Sequence, residues 1–222
     1  MGEFRKAMIE TRELLRSNPD DFELHNLMGL VEMGLNNMPR AVLHLEWAYR
    51  LSARPYIAVN LSTAYIESGN PTKAVTLLNQ AQRIATKELY ANIERLTHNL
   101  GRAYERLGKL QKAETLYVAS IEENPIYYLP HHSLAKLYEK VGRPAKSAEQ
   151  FQKAIELCNR CFNVYRDYAD LKIKLGRVSD ALGLVEQYLK IENLTDAERE
   201  MASTTKKMYL AFSSNRFGSV AR

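Results

Sequence analysis

The chain has 222 residues, 45% hydrophobic and 26% charged, with a formal net charge of +5. That balance is ordinary for a soluble protein, and no stretch approaches the ~18 apolar residues of a membrane span. The mild basicity favours acidic partners but is too small to mark a nucleic-acid protein by itself.

The N-terminal run Met1-Gly2-Glu3-Phe4 is charged too early for a secretory signal. Lys6 stands where an N-myristoylation site needs Ser or Thr. The first predicted element is a lone helix over 4–19, with Ala7 and Pro19 in places that recur later in two-helix units. No partner helix precedes it, which would leave an apolar stripe uncovered. The helix is either a native cap or the remainder of a longer chain, and the preferred expectation is that the native chain continues N-terminally.

Five predicted helix hairpins follow, over 22–54, 55–93, 94–127, 128–161 and 162–194. A small residue marks each second helix: after Ala7 come Ala41, Ala74, Ala113, Ser147 and Ala181, at separations of 34, 33, 39, 34 and 34. Small side chains let the two helices of a hairpin cross closely. Five residues before four of them stand Gly69, Gly108, Gly142 and Gly176, where a helix must end at positive φ and reverse. Asn36 takes that place in the first hairpin, with Gly34 nearby blurring the register.

The one long step adds five residues around Thr86-Lys87-Glu88-Leu89-Tyr90-Ala91, expected as a lengthened helix or loop. A tolerated insertion is the preferred reading. Thr195-Asp196-Ala197-Glu198 is a capping box opening a last helix to about Phe212, within a capping element over 195–213. The tail from Ser213 to Arg222 is expected to fray.

The clearest repeat reads Leu100-Gly101, Tyr104, Gly108, Ala113, Tyr117 and Pro125. It returns as Leu61-Ser62, Tyr65, Gly69, Ala74, Leu78 and Ala81, and as Leu134-Ala135, Tyr138, Gly142, Ser147, Phe151 and Ala154. A weaker copy holds Tyr168-Ala169, Gly176, Ala181 and Val185. This pattern resembles the tetratricopeptide repeat (TPR) family. The resemblance implies an all-α, right-handed solenoid of antiparallel helix hairpins over 1–222, closed by a C-terminal capping helix. It also implies a non-catalytic scaffold that binds a protein or peptide partner.

By the same resemblance, the exposed groove positions hold Arg95, His98, Arg102, Glu105 and Arg106, then Leu129, His132, Lys136, Glu139 and Lys140, then Asn163, Arg166, Asp170, Ile173 and Lys174. We expect Arg95, His98, Asn99, Arg102, Arg106, His132, Lys136, Lys140 and Arg166 to form a basic partner-binding groove. The bland alternative is a solvated face of i,i+4 charge pairs. The chaperone-tail clamp of some TPR proteins is matched only by Asn99, since Val59, Thr63, Leu129 and Ser133 depart from it.

Cys158 and Cys161 form an isolated C-x-x-C. Inert thiols are the preferred reading, then a disulfide in an oxidising compartment, then metal or redox chemistry. His25, His44, His98, His131 and His132 show no catalytic or metal-binding grouping, and no nucleotide or hydrolase fingerprint occurs. Trp47 and most tyrosines read as packing residues. No enzyme activity, cofactor or metal is expected.

The junction Glu88-Leu89-Tyr90 and the run Asn99-Leu100-Gly101-Arg102-Ala103-Tyr104 resemble the pilotin-like TPR lipoproteins of type IV pilus assembly. That family is anchored at the outer membrane by a lipidated cysteine and helps assemble the secretin. The resemblance therefore implies a role in pilus or secretin assembly at the periplasmic face of that membrane. A cytoplasmic adaptor in signalling or motility is the runner-up, and RNA binding by the basic groove is the alternative from another class.

Overall fold

A computed structural model describes residues 2–88 and 92–218. All regular structure among the described residues is helical. The helices are α1 (Gly2–Ser17), α2 (Phe22–Gly34), α3 (Met38–Leu51), α4 (Pro55–Glu67), α5 (Pro71–Glu88), α6 (Ile93–Arg106), α7 (Leu110–Glu123), α8 (Tyr128–Lys140), α9 (Pro144–Leu157), α10 (Phe162–Lys174), α11 (Val178–Leu189) and α12 (Asp196–Gly218). None of them is long and apolar enough to cross a membrane. Contacts divide the chain into two compact units, Met1–Asn124 and Pro125–Arg222.

Helix boundaries follow local chemistry. Asp21 caps α2, accepting from the Glu23 and Leu24 amides at 2.8 and 3.0 Å. Pro55 and Pro144 stand in the first turn of α4 and α9, where a missing N–H costs nothing. Hairpin turns share one geometry: Gly69, Gly108, Gly142 and Gly176 have φ between 72° and 78°, and Asn36 has φ 61°. The next residue's amide then reaches back to the carbonyl five positions earlier, as in Lys109 to Tyr104 at 2.9 Å and Arg143 to Tyr138 at 2.8 Å. An added Cβ at Gly108 would meet nothing within 4 Å, so its side-chain space is open. Gly108→Val is therefore expected to cost roughly 1–3 kcal/mol through backbone strain alone. A urea melt that does not move would refute this account of the turn.

In the first unit, α2 packs on α3, α4 on α5 and α6 on α7, with α1 lying against α2. Ala41, Ala74 and Ala113 are fully buried at the helix crossings. α5 runs for 18 residues where α7 has 14, so the extra chain begins as added helix. The rest of that insertion, residues 89–91, lies outside the described residues.

In the second unit, α8 pairs with α9 and α10 with α11, and α12 covers α11 and α10. Ser147 and Ala181 occupy its crossings, both fully buried, and Ser147 Oγ has no hydrogen-bond partner. The capping box forms, with the Glu198 amide donating to Thr195 Oγ1 at 3.2 Å and the Thr195 amide donating to Glu198 Oε2 at 2.7 Å. α12 continues past Phe212 to Gly218, and Ala202 and Tyr209 bury one stripe of it. The end of the expected frayed tail, residues 219–222, lies outside the described residues.

Cys158 and Cys161 are joined by a disulfide, which corrects the preference for free thiols. The bond is reachable because Cys158 ends α9 and Cys161 caps α10, with their Cα atoms 5.4 Å apart.

Candidate functional site

In the first unit the first helices of successive hairpins, α2, α4 and α6, touch in order. Polar bonds at about one-repeat spacing hold them together. Tyr56 donates to Glu23, and Asn60 Nδ2 donates to Asn26 Oδ1 at 2.9 Å. Asn99 Nδ2 points to the Val59 carbonyl, Ser62 Oγ and Thr63 Oγ1, each at 3.0 Å. Arg102 donates to Glu67 Oε1 at 2.5 Å, while Arg106 meets Glu67 Oε2 at 3.4 Å. One carboxylate of α4 thus takes two guanidinium groups of α6.

The second unit repeats the device on α8 and α10. His132 Nε2 donates to Asp167 Oδ2 at 2.9 Å, Lys136 reaches the same oxygen at 3.1 Å, and Arg166 approaches Oδ1 at 3.2 Å. Burial pushes the Asp167 carboxyl up, but hydrogen bonds from His132 and Lys136 and their positive charge hold it well below the usual carboxylate range. Lys174 donates to Glu139 at 2.5 Å, and that bond raises its ammonium above the ordinary lysine value. Tyr209 of α12 donates to Asp170 Oδ1 at 2.6 Å.

These bonds revise the expected basic groove. His98 and Asn99 are 3% and 4% exposed, so neither lies on an open face. His98 packs its ring against Tyr117, and Asn99 ties α6 to α4. The one residue that matched a chaperone-tail clamp is committed to internal bonds. Arg102 and His132 are largely covered, whereas Arg106, Lys136 and Arg166 keep 59%, 54% and 46% of their side chains exposed. Arg95 and Lys140 are also exposed.

Glu67 and Asp167 were missed by the groove reading. Asp167 sits one place beyond the positions expected to face outward, and no single-helix pattern shows that it meets the helix 35 residues earlier. Trp47 is 48% exposed, against its reading as a packing residue. His131 meets Gln150 at 2.8 Å inside the α8–α9 hairpin, apart from the acid cluster. Among the described residues, no group of three or more His, Cys, Asp or Glu is placed to hold a metal ion.

Two models of the tetratricopeptide repeat family match residues 52–122 and 98–160. No curated protein matches the sequence significantly. A thermophilic TPR protein of Thermus thermophilus superposes with a TM-score of 0.69 at 17% identity, covering 83% of this chain and 98% of its own. A TPR protein of Parabacteroides merdae gives 0.76 at 14% identity, covering 94% of this chain and 78% of its own. PilF of Pseudomonas aeruginosa gives 0.63 at 16% identity, covering 91% and 90%. At these identities the superpositions speak for the fold alone.

Proposed function

Residues 52–160 make this chain a tetratricopeptide repeat protein, and from that premise we propose that it is a non-catalytic scaffold of pilus or secretin assembly. A protein-interaction scaffold is what the repeats imply. Support for the finer role comes from the resemblance of Glu88-Leu89-Tyr90 and Asn99-Leu100-Gly101-Arg102-Ala103-Tyr104 to the pilotin-like lipoproteins, with which the fold shared with PilF is consistent. The partner is acidic: within the second unit the exposed cations of α8 and α10 would draw it, and within the first unit Arg106 of α6 offers a separate contact. Because Glu67 in the first unit and Asp167 in the second each neutralise much of the charge beside them, the cations of either unit suit a protein segment of modest charge better than an RNA backbone.

The observation that carries this reading is the half-exposed state of Arg106, Lys136 and Arg166 despite their internal acid partners. The test is affinity capture from the source cells, with the wild type compared with Arg106→Glu and, separately, Lys136→Glu. The wild type is expected to recover the secretin subunit, and at least one variant to weaken capture and flatten its salt dependence. Capture unchanged in both variants would remove these cations from partner binding. Failure of the wild type to recover a secretin would reject the pilus role and leave the scaffold.

A further inference from the structure

A cavity of about 760 Å³ opens between α1, α2 and α3, within the first unit and apart from the cations of α6. Its lining includes Arg12 and Arg16 from α1, His25 and Glu32 from α2, and Arg40, His44 and Trp47 from α3. Three features of this lining point to a ligand.

The first is Glu32. Its side chain is 4% exposed and its ion pair with Arg40 is stretched to 4.0 Å, so the carboxylate, which lines the cavity, can accept N–H donors from a bound molecule. The second is His44. The Pro19 carbonyl can only accept, so His25 Nε2 donates to it at 2.8 Å, and His25 Nδ1 in the neutral ring must accept. With that tautomer it accepts from His44 Nδ1, 3.1 Å away, and His44 Nε2 is then the acceptor nitrogen of its ring. In the corresponding place of the second unit, His131 meets the amide of Gln150 and no second imidazole stands there.

The third feature is the aromatic wall. Trp47 stacks on His25 at 5.4 Å and 25°, and His25 stacks on His44 at 5.4 Å and 30°. The indole ends the stack half-exposed. Arg12, Arg16 and Arg40 add positive charge around it.

The occupant that satisfies this lining must bring N–H donors to Glu32 and His44 Nε2, a flat face for Trp47, and an anionic group for the arginines. Three guanidinium groups against one carboxylate disfavour a cationic head, so the donors are those of a neutral ring. We propose that this cavity is a binding site for a purine nucleotide, with guanine preferred because its adjacent ring and exocyclic N–H groups match one carboxylate. The phosphate meets Arg12, Arg16 and Arg40 through charge-assisted bonds. The volume lies within the range of small-molecule sites, and base–indole stacking suits an open aromatic end. The inference is independent of the scaffold reading, since no cation of the α6 face takes part.

The chain has a single tryptophan, so its fluorescence reports this cavity directly. The experiment titrates the full chain with GMP, AMP and inorganic phosphate and follows the Trp47 emission. GMP is expected to quench saturably, AMP more weakly, and inorganic phosphate not to saturate below a concentration far above that of GMP. Glu32→Gln should weaken GMP about tenfold or more, as expected for loss of a hydrogen bond to a charged group, without lowering thermal stability. If that variant does not fold, the exposed Arg16→Ala provides the same comparison, with a several-fold loss expected. No saturable quench by GMP would overturn the proposal. Equal responses to phosphate and GMP would overturn it too, as would binding unchanged in the variants.

Discussion

Tyr117→Ala is expected to destabilise the first unit by about 3–5 kcal/mol, the loss typical of deleting a buried aromatic side chain. Tyr117 is 0% exposed, and its ring fills the space left by the missing side chain of Gly101. A Cβ built at Gly101 would stand 2.7 Å from the ring's Cδ1 and Cε1 atoms. The Tyr117 hydroxyl also donates to Glu105 Oε2 at 2.7 Å, so truncation removes both volume and a bond across the α6–α7 hairpin. The two positions therefore depend on each other. Gly101→Ala alone should cost about 1–3 kcal/mol by overpacking. In the Tyr117→Ala background it should cost close to nothing, since the atoms it strikes are gone. Urea unfolding followed at Trp47 reads this unit, because the indole lies on α3. Additive losses in the double variant would break the proposed contact.

Gly101 and Tyr117 were legible in the sequence as places of the clearest repeat, but their contact was not, because it is made across the α6–α7 hairpin. The turn glycines were legible too: each follows from a local need, such as a positive φ or a close helix crossing, that a residue type reveals. The capping box at Thr195 belongs to this class as well. The candidate cations were legible only in part. Arg106 in the first unit and Lys136 and Arg166 in the second are half-exposed, but the chemistry around them is decided within each unit between helices about 35 residues apart. Periodicity locates such positions without showing that Glu67 takes both Arg102 and Arg106. Asn99 shows the difficulty most clearly. A polar residue at a groove position looks free in one repeat, and only the neighbouring helix shows its amide committed to Val59, Ser62 and Thr63. The disulfide was likewise open, because a C-x-x-C spacing is compatible with both redox states and only the helix ends fix the approach.

The pH response of the second unit provides the other large effect. Asp167 binds His132, Lys136 and Arg166 while its side chain is only 14% exposed. Burial opposes its ionisation, but the bonds from His132 and Lys136 prevail and keep it ionised in the folded chain far below the ordinary range. In the unfolded chain it titrates near the usual Asp value of about 3.9. A folded value held below the unfolded one gives stability that is complete above about pH 4 and is lost as pH falls toward the folded value. Asp167→Asn removes the charge and keeps the shape. Its cost at neutral pH is expected to be about 1–3 kcal/mol, toward the lower end because Lys136 and Arg166 remain half in water. The difference between wild type and variant should then shrink as the pH drops below about 4, where the wild-type contribution is itself being lost. Helical circular dichroism in urea at neutral and acid pH measures both differences, and the other carboxylates cancel because they titrate in both proteins. A gap that stays the same at acid pH would show that Asp167 stabilises the α8–α10 contact by packing rather than by charge.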